Sequence, residues 1–413
     1  MPSPRQWSPL LLAPVLLIAS CSTGSSSSSK SSSAAGSSTT ASSTGSAGAS
    51  STTSSGSTAA VAAQLASASK EPVFSAPGPK FDAAKAKGKT IMSIPISSQI
   101  PYIVDVDEVQ QQVAKQLGVH WIECTNQGTV PSWVTCMNRA ISQKVDLINL
   151  SQLPNPANLQ PQIKAARAAG IAVISTHGPD PAGYPAGTVP AAGTANLTSY
   201  VVGPFVRVAQ LDADYAIKDS AGKADVLVVA PLEVLSAPGH VKAIQNQFAA
   251  QCPGCKVKVL NVPIADWATK LEPQIQTSLT QDPKLGYVIP IYDGMVSFVN
   301  SAITSAGRTG KVKIVSYNGD PSALSIMAKG GSVAMDIGES SGWLGLADMD
   351  AELRILSGVT PVKDEKTPLR VYTKDNVAAA GSPPTFDGGF GTGYLTGYSK
   401  LWSLASPVTI THH

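Results

Sequence analysis

The chain has 413 residues with 30 Lys and Arg against 27 Asp and Glu, a formal net charge of +3, so it carries no basic field that would draw nucleic acid. At 43% hydrophobic and 14% charged it has ample material for a core, and its length suits two or three domains. Five histidines and five cysteines argue against a multi-metal centre or a dense disulfide scaffold.

Arg5 precedes an apolar run from Leu10 to Ile18, which ends in Ile18-Ala19-Ser20-Cys21. A basic start, a short apolar stretch and small residues describe a secretory signal over 1–21, too short for a permanent membrane span. Its ending has the form of a bacterial lipobox, in which Cys21 is acylated and becomes the new N-terminus. From Ser22 to Ala60 every residue except Lys30 is Ser, Thr, Gly or Ala. Such a tract has nothing to bury, so residues 22–70 are expected to form a disordered leash between membrane and domain.

From about Lys89 short apolar runs alternate with helical patterns. Thr90–Ile96 reads as a strand, and Val106, Val109, Val113 and Leu117 then recur at helical spacing up to Gly118. Strands follow at Val119–Glu123, Val145–Leu150 and Ile171–Ser175, with helices around Trp133–Ser142 and Leu159–Ala169. The second half repeats the rhythm. Its strands are Val226–Ala230, Val257–Val262, Tyr287–Ile291, Val312–Tyr317 and Val333–Ile337, and its helices lie near Val241–Ala250, Trp267–Leu279, Met295–Ala306 and Leu344–Leu356. This alternation predicts an α/β protein with two doubly wound parallel-sheet lobes; a (β/α)₈ barrel is the alternative. In either, ligands collect beyond the C-terminal ends of the strands.

Those ends carry Ser97-Ser98-Gln99-Ile100-Pro101-Tyr102, Ser175-Thr176-His177-Gly178, Tyr292-Asp293-Gly294-Met295 and Tyr317-Asn318-Gly319, and Gly397-Tyr398-Ser399-Lys400-Leu401-Trp402 stands near the end. In this order, over about Lys89 to Leu404, the chain resembles type I periplasmic binding proteins of the sugar ABC-transporter class, the ribose-binding-protein-like group. The resemblance implies two lobes joined by three crossovers and closing on one small molecule. The N-terminal lobe would be 89–201 with a return segment at 338–366, and the C-terminal lobe 202–337 with the segment 367–404. By position, Tyr102 stands where the family packs an aromatic on a sugar ring, and Trp267 occupies a second aromatic position. Tyr292 stands at a polar position, Asp293 matches an acidic one, and Asn318 replaces an Asp that accepts from hydroxyls. His177-Gly178 replaces an Asp-Arg pair, and Lys242 is nearest to an arginine expected after Ala230. Glu339, beside the crossover, completes the candidate ligand set.

Each of these residues also has a plainer role open to it. Trp267 can be core, Tyr317 can pack beneath the site, His177 can bond a carbonyl, Asp293 can cap a helix, and Glu339 can lie on the surface. The physical case for a polyol stands beside the resemblance, because aromatic faces pack on C–H surfaces while carboxylates and amides satisfy hydroxyls.

Gly338-Glu339-Ser340-Ser341-Gly342 fits G-x-S-x-G after a strand, the setting of a hydrolase nucleophile elbow. Ser340 would then be the nucleophile, but the only later histidines are His412 and His413, at the terminus. Without a placed base a serine stays a poor nucleophile, and helix capping is the preferred role. Removing Cys21 leaves an even set of cysteines. Cys252-Pro253-Gly254-Cys255 is expected to close a turn as a local disulfide, and Cys124 and Cys136 then pair by elimination.

The function expected is therefore that of a non-enzymatic, lipid-anchored solute-binding protein on the outer face of the cell membrane. It would act as a monomer without cofactor, capture a sugar or polyol and deliver it to an ABC-transporter permease. The alternatives are a secreted α/β serine hydrolase, a ligand-sensing partner of a membrane receptor and a structural surface lipoprotein.

Overall fold

The computed structural model describes residues 52–152, 154–180 and 194–412. The expected signal peptide, the acylated Cys21 and the linker up to residue 51 lie outside the described residues. Strands β1 (Thr90–Ser93), β2 (His120–Glu123), β3 (Leu147–Leu150), β4 (Ala172–Gly178) and β5 (Ser199–Val202) form a parallel sheet in the order β2-β1-β3-β4-β5. A second sheet holds β6 (Asp225–Ala230), β7 (Lys256–Asn261), β8 (Tyr287–Pro290), β9 (Lys313–Asn318), β10 (Val333–Glu339) and β11 (Leu369–Thr373). Its order is β11-β10-β9-β8-β6-β7, parallel throughout except for the antiparallel β10–β11 pair. Read from β7, the second sheet repeats the strand order of the first, so the molecule has two doubly wound lobes and not a barrel. In both, the order reverses between two strands, β1 and β3 or β6 and β8, which opens a crevice at their C-terminal ends.

The helices are α1 (Thr52–Ala68), α2 (Pro101–Leu117), α3 (Val130–Gln143), α4 (Gln160–Ala168), α5 (Phe205–Asp219), α6 (Ala237–Gln251), α7 (Glu272–Gln281), α8 (Val296–Ser305), α9 (Pro321–Ala328), α10 (Ser341–Leu356) and α11 (Gly393–Leu401). Helix α2 shows why the pattern was legible. Pro101 sits in its first turn, Val106, Val109 and Val113 are fully buried, and Gly118 closes it at φ 70°, its N–H returning to Ala114 O. The central strands are apolar on both faces, as helices on each side require: Leu147, Ile148 and Leu150 in β3, and Val226, Val228 and Val229 in β6, are wholly buried. Each such side chain contributes about 1.5–3 kcal/mol over the exposed state. Edge strand β7 turns Lys256 and Lys258 outward instead, which guards the free edge. Cys124 is bonded to Cys136, and Cys252 to Cys255 across the α6–β7 turn.

The chain passes between the lobes after β5, after β10, before β11 and again between β11 and α11. Val202 N–H donates to Lys363 O at 2.8 Å, tying the first and third passages together. Two expectations need correction. The linker was expected to stay disordered to residue 70, yet Thr52–Ala68 is helical, because Val61 and Leu65 are buried at i, i+4 spacing on a helix packed against α5 and β11. The segment 367–404 does not stay in the C-terminal lobe. Only β11 does; α11 returns to α10, where Tyr394 stacks on Trp343 at 5.0 Å and the Trp402 indole donates to Asp350 Oδ1 at 2.7 Å. Strands β5 and β11 and helices α5, α9 and α11 were also missed from sequence. Among the described residues no helix is long and apolar enough to cross a membrane.

Candidate ligand cavity between the lobes

The C-terminal strand ends of the two sheets face each other across about 520 Å³ of space free of protein atoms, counting the part open to solvent. From the N-terminal lobe, Ile96, Ile100, Tyr102, Ile103, Gln152 and His177 line it. From the other lobe come Phe205, Val234 and Ile264, then Trp267, Tyr292, Gly294, Tyr317 and Asn318. Val234 follows β6 and Tyr292 follows β8, so the second lobe meets the cavity at its own crevice.

The polar side chains without an aromatic ring of carbons are Gln152, His177 and Asn318, and all three have positive φ, at 55°, 54° and 143°. Non-glycine residues avoid that region, at a cost of about 1–3 kcal/mol each, and persist there when the surrounding structure over-determines them. Each stands at or just past a strand end, β3, β4 or β9. They are three of the eight non-glycine residues with positive φ among the described residues.

The aromatic residues turn their polar tips away. Tyr102 OH donates to Glu339 O at 3.2 Å, and Tyr317 OH donates to the Glu339 carboxylate. Tyr292 OH is hydrogen-bonded to Ser236 Oγ. The Trp267 indole N–H donates to Val262 O at 3.0 Å. What faces the cavity is ring surface. Gly294 is required for this arrangement, since a Cβ there would lie 2.9 Å from Trp267 Cζ3.

Glu339 is 1% exposed, so its expected place on the surface is corrected. It ends β10 behind the cavity wall, where it pairs with His177 Nε2 at 3.0 Å and accepts from Thr367 Oγ1 at 2.6 Å as well as from Tyr317. One carboxylate thus joins β4 of one lobe, β9 of the other and the third crossover. Burial lowers the His177 pKa, but the Glu339 charge outweighs it and holds the imidazole above its ordinary value. Burial raises Glu339, and His177, with the hydroxyl donors, holds it below its ordinary value instead.

Asp293 also lies behind the wall. Its Oδ2 accepts from Asp320 N–H at 2.8 Å, while its own N–H donates to Asn318 Oδ1 at 3.4 Å. It buttresses the turn that holds Asn318 and does not cap its own short helix. With Asp320 and Asp336 it forms a buried acidic group in which burial and then mutual repulsion raise the Asp320 and Asp336 pKa values. Tyr317, expected beneath the site, lines it. Lys242 is exposed on α6 and away from it. The apolar wall residues Ile96, Ile103, Phe205 and Val234 carried no sequence signal that separated them from core. Gln152 did, in a polar pair closing an apolar strand, and was overlooked.

Ser340 does meet a histidine-bearing network, but in the wrong order for a nucleophile. Its Oγ accepts from Trp343 N–H at 2.9 Å as the α10 cap and donates to Asp387 Oδ1 at 2.6 Å. His412 sits on the far side of that carboxylate, with Nε2 at 2.8 Å from Asp387 Oδ2 and Nδ1 at 2.7 Å from Asp105 Oδ2. Burial lowers the His412 pKa, yet the two aspartates raise it to about 10, so the imidazole is protonated at neutral pH and holds no lone pair for a serine proton. The hydrolase reading falls on this geometry.

Residues 91–350 match the family model described as a periplasmic binding protein domain. No curated protein matches the chain. Among solved structures, a 5-methylthioribose transporter solute-binding protein from Thermotoga lettingae, in complex with 5-methylthioribose, is similar at 18% identity and TM-score 0.63, covering 78% of this chain and 96% of that one. An ABC transporter solute-binding protein from Agrobacterium vitis with bound allitol aligns at 20% identity and TM-score 0.62, over 71% of this chain and 97% of that one. A protein from Mycobacterium smegmatis in complex with β-D-fucofuranose aligns at 16% identity and TM-score 0.60, over 71% and 94%. At these identities the likeness is one of fold.

Proposed function

This chain belongs to the periplasmic binding protein family, whose members act outside the cytoplasm, and on that premise we propose that it is the solute-capturing subunit of an ABC importer. Its two lobes close on one small neutral solute of the sugar or polyol class, and the closed form docks on a membrane permease. Acylation of Cys21 tethers it to the outer face of the membrane, and it works as a monomer. The observation that carries this reading is the cavity lined from both lobes, whose three polar residues, Gln152, His177 and Asn318, sit in strained conformations at strand ends. The solutes bound by the three structural neighbours support the ligand class, since each is a sugar or polyol.

Intact-mass analysis and calorimetry of the exported protein test the reading together. The mature chain should begin at an acylated Cys21. After unfolding, dialysis and refolding it should bind one solute per chain, and the ligand should raise the unfolding midpoint by mass action. A chain that refolds and binds no small solute saturably is not a solute-binding subunit.

A further inference from the structure

We propose, resting on the reading above, that the solute is a neutral ring compound with more apolar than polar surface. A sugar or cyclic alcohol that has lost hydroxyls or carries an alkyl or aryl group fits this description; a free hexose, pentose or open-chain polyol does not. The argument is an inventory of what the wall offers. Among the lining residues none is Asp, Glu, Lys or Arg, and the one ionisable imidazole, His177, is neutralised by Glu339 at 3.0 Å. A charged solute would enter a buried site with no counter-charge free to meet it.

The hydrogen-bonding capacity is small as well. The hydroxyls of Tyr102, Tyr292 and Tyr317 and the indole N–H of Trp267 are all engaged by other protein groups. Gln152 spends its Nε2 on Asp348 Oδ2 at 2.8 Å, and Asn318 Oδ1 accepts from Asp293 N–H. The Gln152 amide oxygen and second N–H, the Asn318 amide nitrogen and second oxygen lone pair, and the imidazole edge remain for the solute. They sit at strand ends, whereas the rest of the wall includes aliphatic or ring face from Ile100, Ile103, Phe205, Ile264 and Trp267. A free hexose brings five hydroxyls and a ring oxygen. Three side chains leave several of these groups facing ring and aliphatic surface, and each hydroxyl buried without a partner lowers affinity by roughly tenfold or more. A solute with two or three oxygens and an otherwise hydrocarbon surface matches this lining.

The test is calorimetric titration of the refolded full chain with matched pairs. Each pair sets a free sugar or polyol (glucose, galactose, xylose, xylitol) against its deoxy, methyl or phenyl derivative; gluconate and glucosamine supply the charged members. The apolar partner should bind at least about 30-fold more tightly than its parent, and the charged members should not bind. A parent sugar binding as tightly as its derivatives, or a charged member binding at all, overturns this inference and leaves solute capture standing. Silence from every member, with no solute released when freshly isolated protein is denatured, removes solute capture itself. Ile100→Asn gives a second check. Residue 100 is the N-cap of α2 with no side-chain bond, so Asn there favours the fold while putting an amide on the wall. It should narrow the preference for the apolar partner several-fold; an unchanged preference counts against the proposal.

Discussion

Asn318 ends β9 at φ 143°, a region that glycine alone enters without strain. The amide and the backbone therefore pull in opposite directions, and substitution separates them. Asn318→Gly should leave stability equal or up to about 2 kcal/mol higher by relieving that strain. It should weaken solute binding by about tenfold through loss of one buried hydrogen bond. Chemical denaturation and titration of the same preparation check both. Undiminished affinity would show that Asn318 shapes the strand end without touching the solute. Tyr102, His177, Trp267, Tyr292 and Asn318 were legible as candidates through their positions in the family resemblance, while their residue types alone left plainer roles open to some of them. Asp293 and Glu339 stood at the same ends but face the other way. A strand-end residue points into the cleft or behind it according to the local turn, and sequence spacing does not resolve that choice.

At the scale of elements, the two cysteine pairs differ in what they close. Cys124–Cys136 spans a sequence separation of 12 and joins the end of β2 to α3; Cys252–Cys255 spans 3 and pins one turn. Loop-closure entropy makes the first worth about 3 kcal/mol and the second about 2 kcal/mol. The exported protein should show no free thiol under denaturing conditions. Cys124→Ser with Cys136→Ser should lower the unfolding free energy by more than Cys252→Ser with Cys255→Ser. The reverse order would mean that the α6–β7 turn, and not the loop leading from β2 into α3, limits folding. The sequence suggested the Cys252–Cys255 pair because short cysteine spacing is local information, and it reached Cys124–Cys136 only by elimination. It missed α1 for the opposite reason. A Ser-, Thr- and Ala-rich segment has little helical drive of its own, and Val61 and Leu65 gain burial only from α5 and β11, which lie far along the chain.

Over the whole molecule, Glu339 is the junction at which closure is held, because it binds groups from both lobes and from a crossover. The signs of its pH dependence follow from the two shifts. His177 is held above its ordinary pKa, so its contribution is full below about 6.5 and fades as pH rises through the raised value. Glu339 is held below its ordinary pKa, so its contribution is present above about 4.3 and fades as pH falls through the lowered value. Stability should therefore be greatest between those limits and decline on either side. Glu339→Gln should flatten both slopes and cost about 3 kcal/mol at the maximum, since it leaves a buried imidazole without its counter-charge. Denaturant titrations at several pH values decide this. A variant with the wild-type profile would mean that other groups set the pH response.

The sequence by itself determined the alternation of strand and helix, an α/β architecture and the strand ends at which a ligand belongs, while the strand order of the folded sheets decided for two lobes over a barrel. Hydrophobic period, glycine stops and proline starts are written into neighbouring residues. Tertiary structure decided which of those strand-end residues reach the cavity, because that depends on backbone dihedrals at Gln152, His177 and Asn318 and on partners brought from distant segments. It also decided the cavity's chemistry. The tyrosines and the tryptophan were expected to offer ring faces, and only the folded chain shows that their hydroxyls and N–H are taken up by Glu339, Ser236 and Val262.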